Sequence, residues 1–172
     1  AELAAVWRAA ERLGNPFGDF WRLMWLTGGQ RLSDVAGMRW NEIELDGEAP
    51  AWTIAEPTKT KADAPDRAHL VPLSPAAVEL LAAIPRGRGP FVLSTRGGTK
   101  PIVPGSKVLA ELVAGSGVTG WTFHDTRRTV SSVLADLGEP PHVAEVLQNR
   151  KTIVSGVVAT YNRSQYLADK QR

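Results

Sequence analysis

The chain has no cysteine, so neither a disulfide framework nor a thiolate zinc site can support it. It has only three histidines, too few to suggest a multi-histidine metal cluster, and metal-dependent chemistry is disfavoured. No cofactor-binding signature accompanies them. No apolar run approaches the ~20 residues of a membrane span. The opening Ala1-Glu2-Leu3-Ala4-Ala5 also lacks the basic and apolar regions of a signal peptide, so the expected setting is the cytoplasm, with no membrane partner. Internal repeats, low-complexity tracts and a Pro/Gly/Ser-rich linker are absent as well. What is present is 172 residues with 43% apolar content, enough for one substantial core, and the expectation is a single domain over 1–172.

A formal net charge of +2 does not by itself announce a nucleic-acid binder, but its distribution is uneven. Residues 1–56 hold five Lys/Arg against nine Asp/Glu, a balance of −4. Residues 57–107 hold eight (Lys59, Lys61, Arg67, Arg86, Arg88, Arg96, Lys100, Lys107) against three, a balance of +5. A basic middle can face a phosphate backbone while the acidic start faces elsewhere; a solvated, loop-rich surface would carry the same charges.

Helical spacing of Leu3, Val6, Trp7, Ala10 and Leu13, closed by Gly14-Asn15-Pro16, predicts a first helix, and Phe17 to Leu26 predicts a second. After Thr27-Gly28-Gly29, residues 31–40 read as a short helix that Ser33 could cap. Alternation over Glu42–Leu45 and Ala51–Ala55 about Asp46-Gly47 predicts a hairpin. His69-Leu70-Val71-Pro72-Leu73 adds a third strand that its proline places at a sheet edge. Ser74-Pro75 opens a helix to Ile84, and a short strand is expected at Phe91–Leu93. Helices over Ser106 to about Ala114, 122–137, 141–148, roughly 153–160 and 164–171 complete the reading. The fold class is therefore mainly α with a small antiparallel β-sheet, an α+β arrangement.

Thr122-Phe123-His124-Asp125-Thr126-Arg127-Arg128-Thr129, taken with Tyr161-Asn162-Arg163, gathers an imidazole, two guanidiniums and a phenol, a set suited to attack on a phosphodiester without a metal. If Thr122 caps a helix and Asp125 reaches back to it, His124 and Arg127 project from one face. Val130, Leu134 and Leu137 would then anchor the opposite stripe, with Gly138 ending the helix. Each feature has a plain structural explanation on its own: Arg31 as a surface ion pair, His-x-x-Arg as a solvated helix end, Tyr161 as a core plug.

Their order along the chain is more specific. An arginine follows a Thr-Gly turn, a lysine precedes a Val-Pro-Leu-Ser strand, His-x-x-Arg lies on a helix, and a tyrosine comes near the end. The blocks from Thr27 to Trp40, Phe123 to Thr129 and Tyr161 to Leu167 together resemble the catalytic domain of the tyrosine recombinases, the phage-integrase family, with prophage and genomic-island integrases the nearest in pattern. The resemblance runs from about Phe17 to Leu167. It implies a site-specific DNA recombinase that breaks and rejoins strands through a covalent 3′-phosphotyrosyl link, independent of metal and ATP.

By that resemblance Arg31 and Arg127 clamp the phosphate, Tyr161 is the nucleophile and His124 the acid/base beside it. A lysine of the sheet hairpin, Lys59 with Lys61 as its rival, protonates the leaving oxygen. Asn149, twelve residues before Tyr161, stands where the family usually has a histidine or tryptophan; it can still donate a hydrogen bond to a phosphate oxygen but cannot titrate. Thr27-Gly28-Gly29-Gln30-Arg31 is one residue longer than the usual Thr-Gly-x-Arg, and the following Leu-Ser-Asp-Val picks Arg31 rather than Arg39 as the match. No catalytic role is expected for His69 or His142, and Tyr166 beside Leu167 reads as packing.

The resemblance further implies double-stranded attachment sites as partners, a homotetramer on DNA, and a chain that is the C-terminal catalytic part of a longer integrase. A DNA-binding module of the same fold with impaired turnover, a type IB topoisomerase-like enzyme and an unrelated helical interaction domain are the competing readings.

Overall fold

A computed structural model describes residues 1–55 and 68–150. Lys59, Lys61, Tyr161, Tyr166 and the helices expected over 153–160 and 164–171 lie outside the described residues.

Val6, Ala9 and Ala10 give α1 (Glu2–Leu13) a buried face, which packs on α2 (Phe17–Leu26) and on α5 (Ser106–Ser116). Small side chains let α5 approach closely: a Cβ on Gly115 would lie 3.2 Å from that of Ala9. α2 is the central element, with Phe20, Trp21, Leu23 and Met24 buried and with contacts to α3 (Leu32–Ala36), α4 (Pro75–Ala83) and α6 (Phe123–Asp136). Its Phe20 ring meets Phe123 edge-on at 5.4 Å, and Trp121 bridges Trp21 (6.2 Å) and Phe123 (6.1 Å). Such edge-to-face pairs add to area burial and fix orientation. They seat the N-terminus of α6, one turn ahead of Arg127, against the core.

The sheet is antiparallel in the order β1 (Ile43–Glu44), β2 (Ala51–Ile54), β3 (His69–Pro72). Trp52 pairs with Val71 and Ile54 with His69, and all four face the core. Pro72 falls on an edge strand as its missing N–H requires. Ser74 caps α4 through Ala77 N–H to Oγ at 3.3 Å, and α7 (Pro141–Leu147) closes the described part of the chain. Among the described residues no helix is long and apolar enough to cross a membrane.

Four details differ from the sequence reading. α3 stops at Ala36 and begins after Arg31, so Ser33 lies inside it; a 3₁₀ turn at Trp40–Glu42 takes over before the sheet. Phe91–Leu93 forms only an isolated bridge with Arg39, because flanking glycine and proline turns leave no room for a ladder. Of the expected stripe Val130 is buried and Leu134 half-buried, but Leu137 is 73% exposed, so the stripe anchors the helix only over its first part. The buried face of α6 is Phe123, Thr126, Arg127 and Val130, which sets Arg127 on the core side together with Val130.

Candidate active site

Three helix ends build the site. α2 stops at Thr27, whose hydroxyl donates to Leu23 O at 2.6 Å, and the chain reverses through Gly28 and Gly29 at φ 73° and 77°. Gly28 N–H returns to Trp25 O and Gly29 N–H to Met24 O, the paired bonds of a left-handed helix stop that favours glycine. Gly29 serves a second purpose. A Cβ there would lie 2.9 Å from Gln148 Nε2 and 3.2 Å from Arg127 Cα, so this turn is where α2, α6 and α7 meet. Arg31 follows after Gln30, its Nη1 3.8 Å from Asp34 Oδ2.

α6 begins with the expected capping box: Asp125 Oδ2 accepts from Thr122 N–H at 2.9 Å and from the Thr122 hydroxyl at 2.8 Å. These hydrogen bonds, then the bond and charge of Arg128, hold the Asp125 carboxyl below its ordinary range. The cap fixes the helix start, and hence the direction of Arg127 one turn on. Arg127 is 5% exposed. Burial first, then the nearby charges of Arg31 and Arg150, lower its pKa to about 10, with Asp34 pulling the other way. It remains a cation at neutral pH, desolvated and beside another cation, a setting that an anion would relieve.

α7 supplies the surface on which both arginines rest. Its last turn closes with Asn149 N–H to Val146 O and Arg150 N–H to Glu145 O, with Asn149 at φ 49°. Asparagine is among the few side chains that tolerate this left-handed conformation, and histidine is enriched there too. The next three carbonyls are left to side chains. Leu147 O accepts from Gln30 Nε2 at 2.6 Å and from His69 Nε2 at 3.0 Å, Gln148 O from Arg127 Nη2 at 2.8 Å, and Asn149 O from Arg31 Nη2 at 2.8 Å. Each arginine thus spends one Nη on a carbonyl and keeps a buried Nη1 with no hydrogen-bond partner among the described residues.

The structure therefore gathers Arg31, Arg127 and Asn149, Asn149 entering through its backbone. His124 sits on the same helix as Arg127 but is exposed, where Arg127 is buried. Lys59 and Tyr161 lie outside the described residues. Arg39, the rejected match, places its guanidinium 4.6 Å from the Phe91 ring. Gln30, Gln148 and His69 were missed as parts of the site; only the adjacency of each glutamine to a candidate residue, Arg31 and Asn149, could have drawn notice.

Two guanidiniums on consecutive carbonyls offer fixed donors of a kind suited to an anion, and the family model described as Phage integrase family matches residues 20–167. The chain belongs to the phage integrase family. Its fold is that of solved tyrosine recombinases. It resembles XerH site-specific recombinase bound to difH substrate in a pre-cleavage complex, at a TM-score of 0.69 and 11% identity, over 88% of this chain and 46% of that one. It also resembles a lambda integrase (75–356) dimer bound to a COC′ core site, at 0.65 and 23% identity, over 88% and 56%. A XerH post-cleavage complex on palindromic difH matches at 0.64 and 12% identity, over 98% and 50%. The chain spans about half the length of each of these proteins. No curated protein sequence matched it.

Proposed function

We propose that this phage-integrase-family chain is the catalytic domain of a site-specific DNA recombinase that cleaves and rejoins strands through a 3′-phosphotyrosyl intermediate. The observation that carries the proposal is the pairing of Arg31 and Arg127 on the Asn149 and Gln148 carbonyls, each with a buried Nη1 that has no hydrogen-bond partner among the described residues, Arg31 Nη1 lying 3.8 Å from Asp34 Oδ2. In-line attack on a phosphodiester raises the charge on the non-bridging oxygens, and guanidinium donors already fixed in place stabilise that charge without reorganising.

In this mechanism Tyr161 Oη attacks phosphorus while the bond to the 5′ oxygen breaks. His124 takes the phenol proton, and Lys59 gives one to the departing oxygen, leaving a free 5′-hydroxyl and the 3′-phosphate on tyrosine. Resealing runs the same steps backwards with a new 5′-hydroxyl. Because the ester bond is exchanged rather than hydrolysed, no ATP is needed, and the guanidiniums take the transition-state charge that a metal would otherwise offset. Asn149 offers a side-chain amide to the same phosphate. Double-stranded attachment sites, assembly as a homotetramer on paired sites and a cytoplasmic setting belong to the same proposal, as does a place at the C-terminal end of a longer integrase. Asn149 favours one second reading, a DNA-binding module of this fold with little turnover.

Covalent trapping separates the two. Nicked duplexes drawn from the flanking DNA, incubated with the protein and then denatured, are expected to give a protein-linked species that Tyr161→Phe abolishes. Salt-sensitive binding with no linked species would support the module instead; neither binding nor linkage would remove both readings.

A further inference from the structure

The end of α7 is fastened from two sides by amides that belong to none of the residues assigned above. Gln148 is fully buried; its Nε2 donates to Arg127 O at 2.9 Å, and its Oε1 lies 3.4 Å from Ser131 Oγ, whose single proton is nearer to Arg127 O at 3.1 Å. The same residue's carbonyl holds the Arg127 guanidinium, so the Gln148 backbone and side chain grip Arg127 at both ends. Gln30, also fully buried, donates Nε2 to Thr27 O at 3.0 Å within its own turn and to Leu147 O at 2.6 Å on α7. One residue on, Arg31 reaches Asn149 O. Gln30 therefore ties the turn that carries Arg31 to the carbonyl next in line to those the arginines use. Gly29 is wedged between, where any Cβ would press on Gln148 Nε2.

We propose that Gln30 and Gln148 are positioning residues of the strand-cleavage site: two buried amides that lock the α7 terminus between α2 and α6 and so fix the separation at which Arg31 and Arg127 grip one phosphate. The proposal rests on the recombinase reading above. A clamp of two cations that repel each other needs such a lock, because their mutual charge and the desolvation of Arg127 both act to part them. Misplacing reacting groups by ~1 Å costs about 100-fold in rate, while phosphate contacts elsewhere on the duplex still support binding.

The test compares Gln30→Met and Gln148→Met, near-isosteric and without the amide, with the unsubstituted full chain on a nicked duplex that traps the phosphotyrosyl product. Gln30→Met is the milder change, since Gln30 Oε1 is buried with no partner among the described residues and Leu147 O keeps His69. A core control, Val108→Ala on α5, is expected to lower thermal stability away from the site, because Val108 is buried there. Expected are duplex affinities within about threefold of the parent and maximal trapping rates at saturating DNA about 10- to 100-fold lower, with the control unchanged in rate. Equal maximal rates in parent and glutamine variants would overturn the proposal and leave the recombinase reading intact, as would an equal loss in Val108→Ala. No Tyr161-dependent product from the parent would overturn the reading itself, and the proposal with it.

Discussion

At the scale of the residue, the proposed chemistry turns on Arg127. A buried guanidinium is costly unless paired, and here its chief partner is a carbonyl rather than a carboxylate. With its pKa lowered to about 10, the sign of the pH effect is fixed. Below pH 10 the folded protein carries the full penalty of the buried cation, and a bound phosphate or sulfate offsets it. As pH rises through 10 the group discharges, the penalty fades and so does the attraction for the anion. Thermal stabilisation by sulfate is therefore expected to be strong at pH 7 and to shrink near pH 10 and above. Arg127→Lys keeps the charge but loses the planar fork, so it should retain part of that stabilisation while cutting the trapping rate by ~100-fold or more. A sulfate effect unchanged between pH 7 and 10.5 would show that Arg127 either keeps its proton over that span or is not the anion's partner, and loss of the pH 7 effect in Arg127→Ala separates the two.

At the scale of the element, α6 shows how position follows from a local signal. Its cap was legible in the sequence, because Thr122 and Asp125 stand at capping-box spacing and nothing else competes for them. The strands about Asp46-Gly47 and the limits of α2 were legible for similar reasons: local turn chemistry and a continuous apolar stripe. The buried face of α6 was legible only at Val130. Leu134 and Leu137 advertise an apolar side, yet Leu137 is exposed and a cation shares the core-facing side with Val130, and a position that breaks the binary pattern cannot be recovered from the pattern. Ser33 misled in the same way, since Arg31, a poor capping residue whose side chain makes no capping bond, holds the N-cap of α3. The cap carries its own prediction. Asp125 has a depressed carboxyl pKa, so its contribution is complete above the ordinary carboxylate range and is lost as pH falls through the lowered folded value. Asp125→Asn should lower the melting temperature at pH 7 and flatten its fall between pH 5 and pH 2; parallel melting curves for parent and variant over that span would contradict the linkage.

At the scale of the whole molecule, the uneven charge seen in the sequence takes a definite shape. The segment from Arg86 to Lys107 is held rigid by backbone bonds between glycine turns, Gly89 N–H to Gly97 O and Phe91 N–H to Gly98 O, each 3.1 Å. A Cβ on Gly87 or Gly89 would strike the backbone at Gly97 and Gly98, so the two turns cross where only glycine fits. Rigid turns then present Arg88, Arg96 and Lys100 to solvent, whereas Arg86 lies over the Trp40 ring at 4.5 Å and is partly engaged already. Exposed cations on a stiff support suit contact with a duplex backbone, where each neutralised phosphate adds ~0.9 to the slope of log affinity against log salt. Replacing Arg96 and Lys100 together by glutamine should weaken binding to every duplex alike and lower that slope by roughly 1 to 2. The trapping rate at saturating DNA should stay at the parent value, because neither side chain shares the α7 carbonyls with Arg31 and Arg127. A salt titration of binding to matched and unmatched duplexes checks this directly. An unaltered slope would place the duplex on another face of the molecule, and a loss confined to one sequence would make these residues readers of bases rather than holders of phosphate.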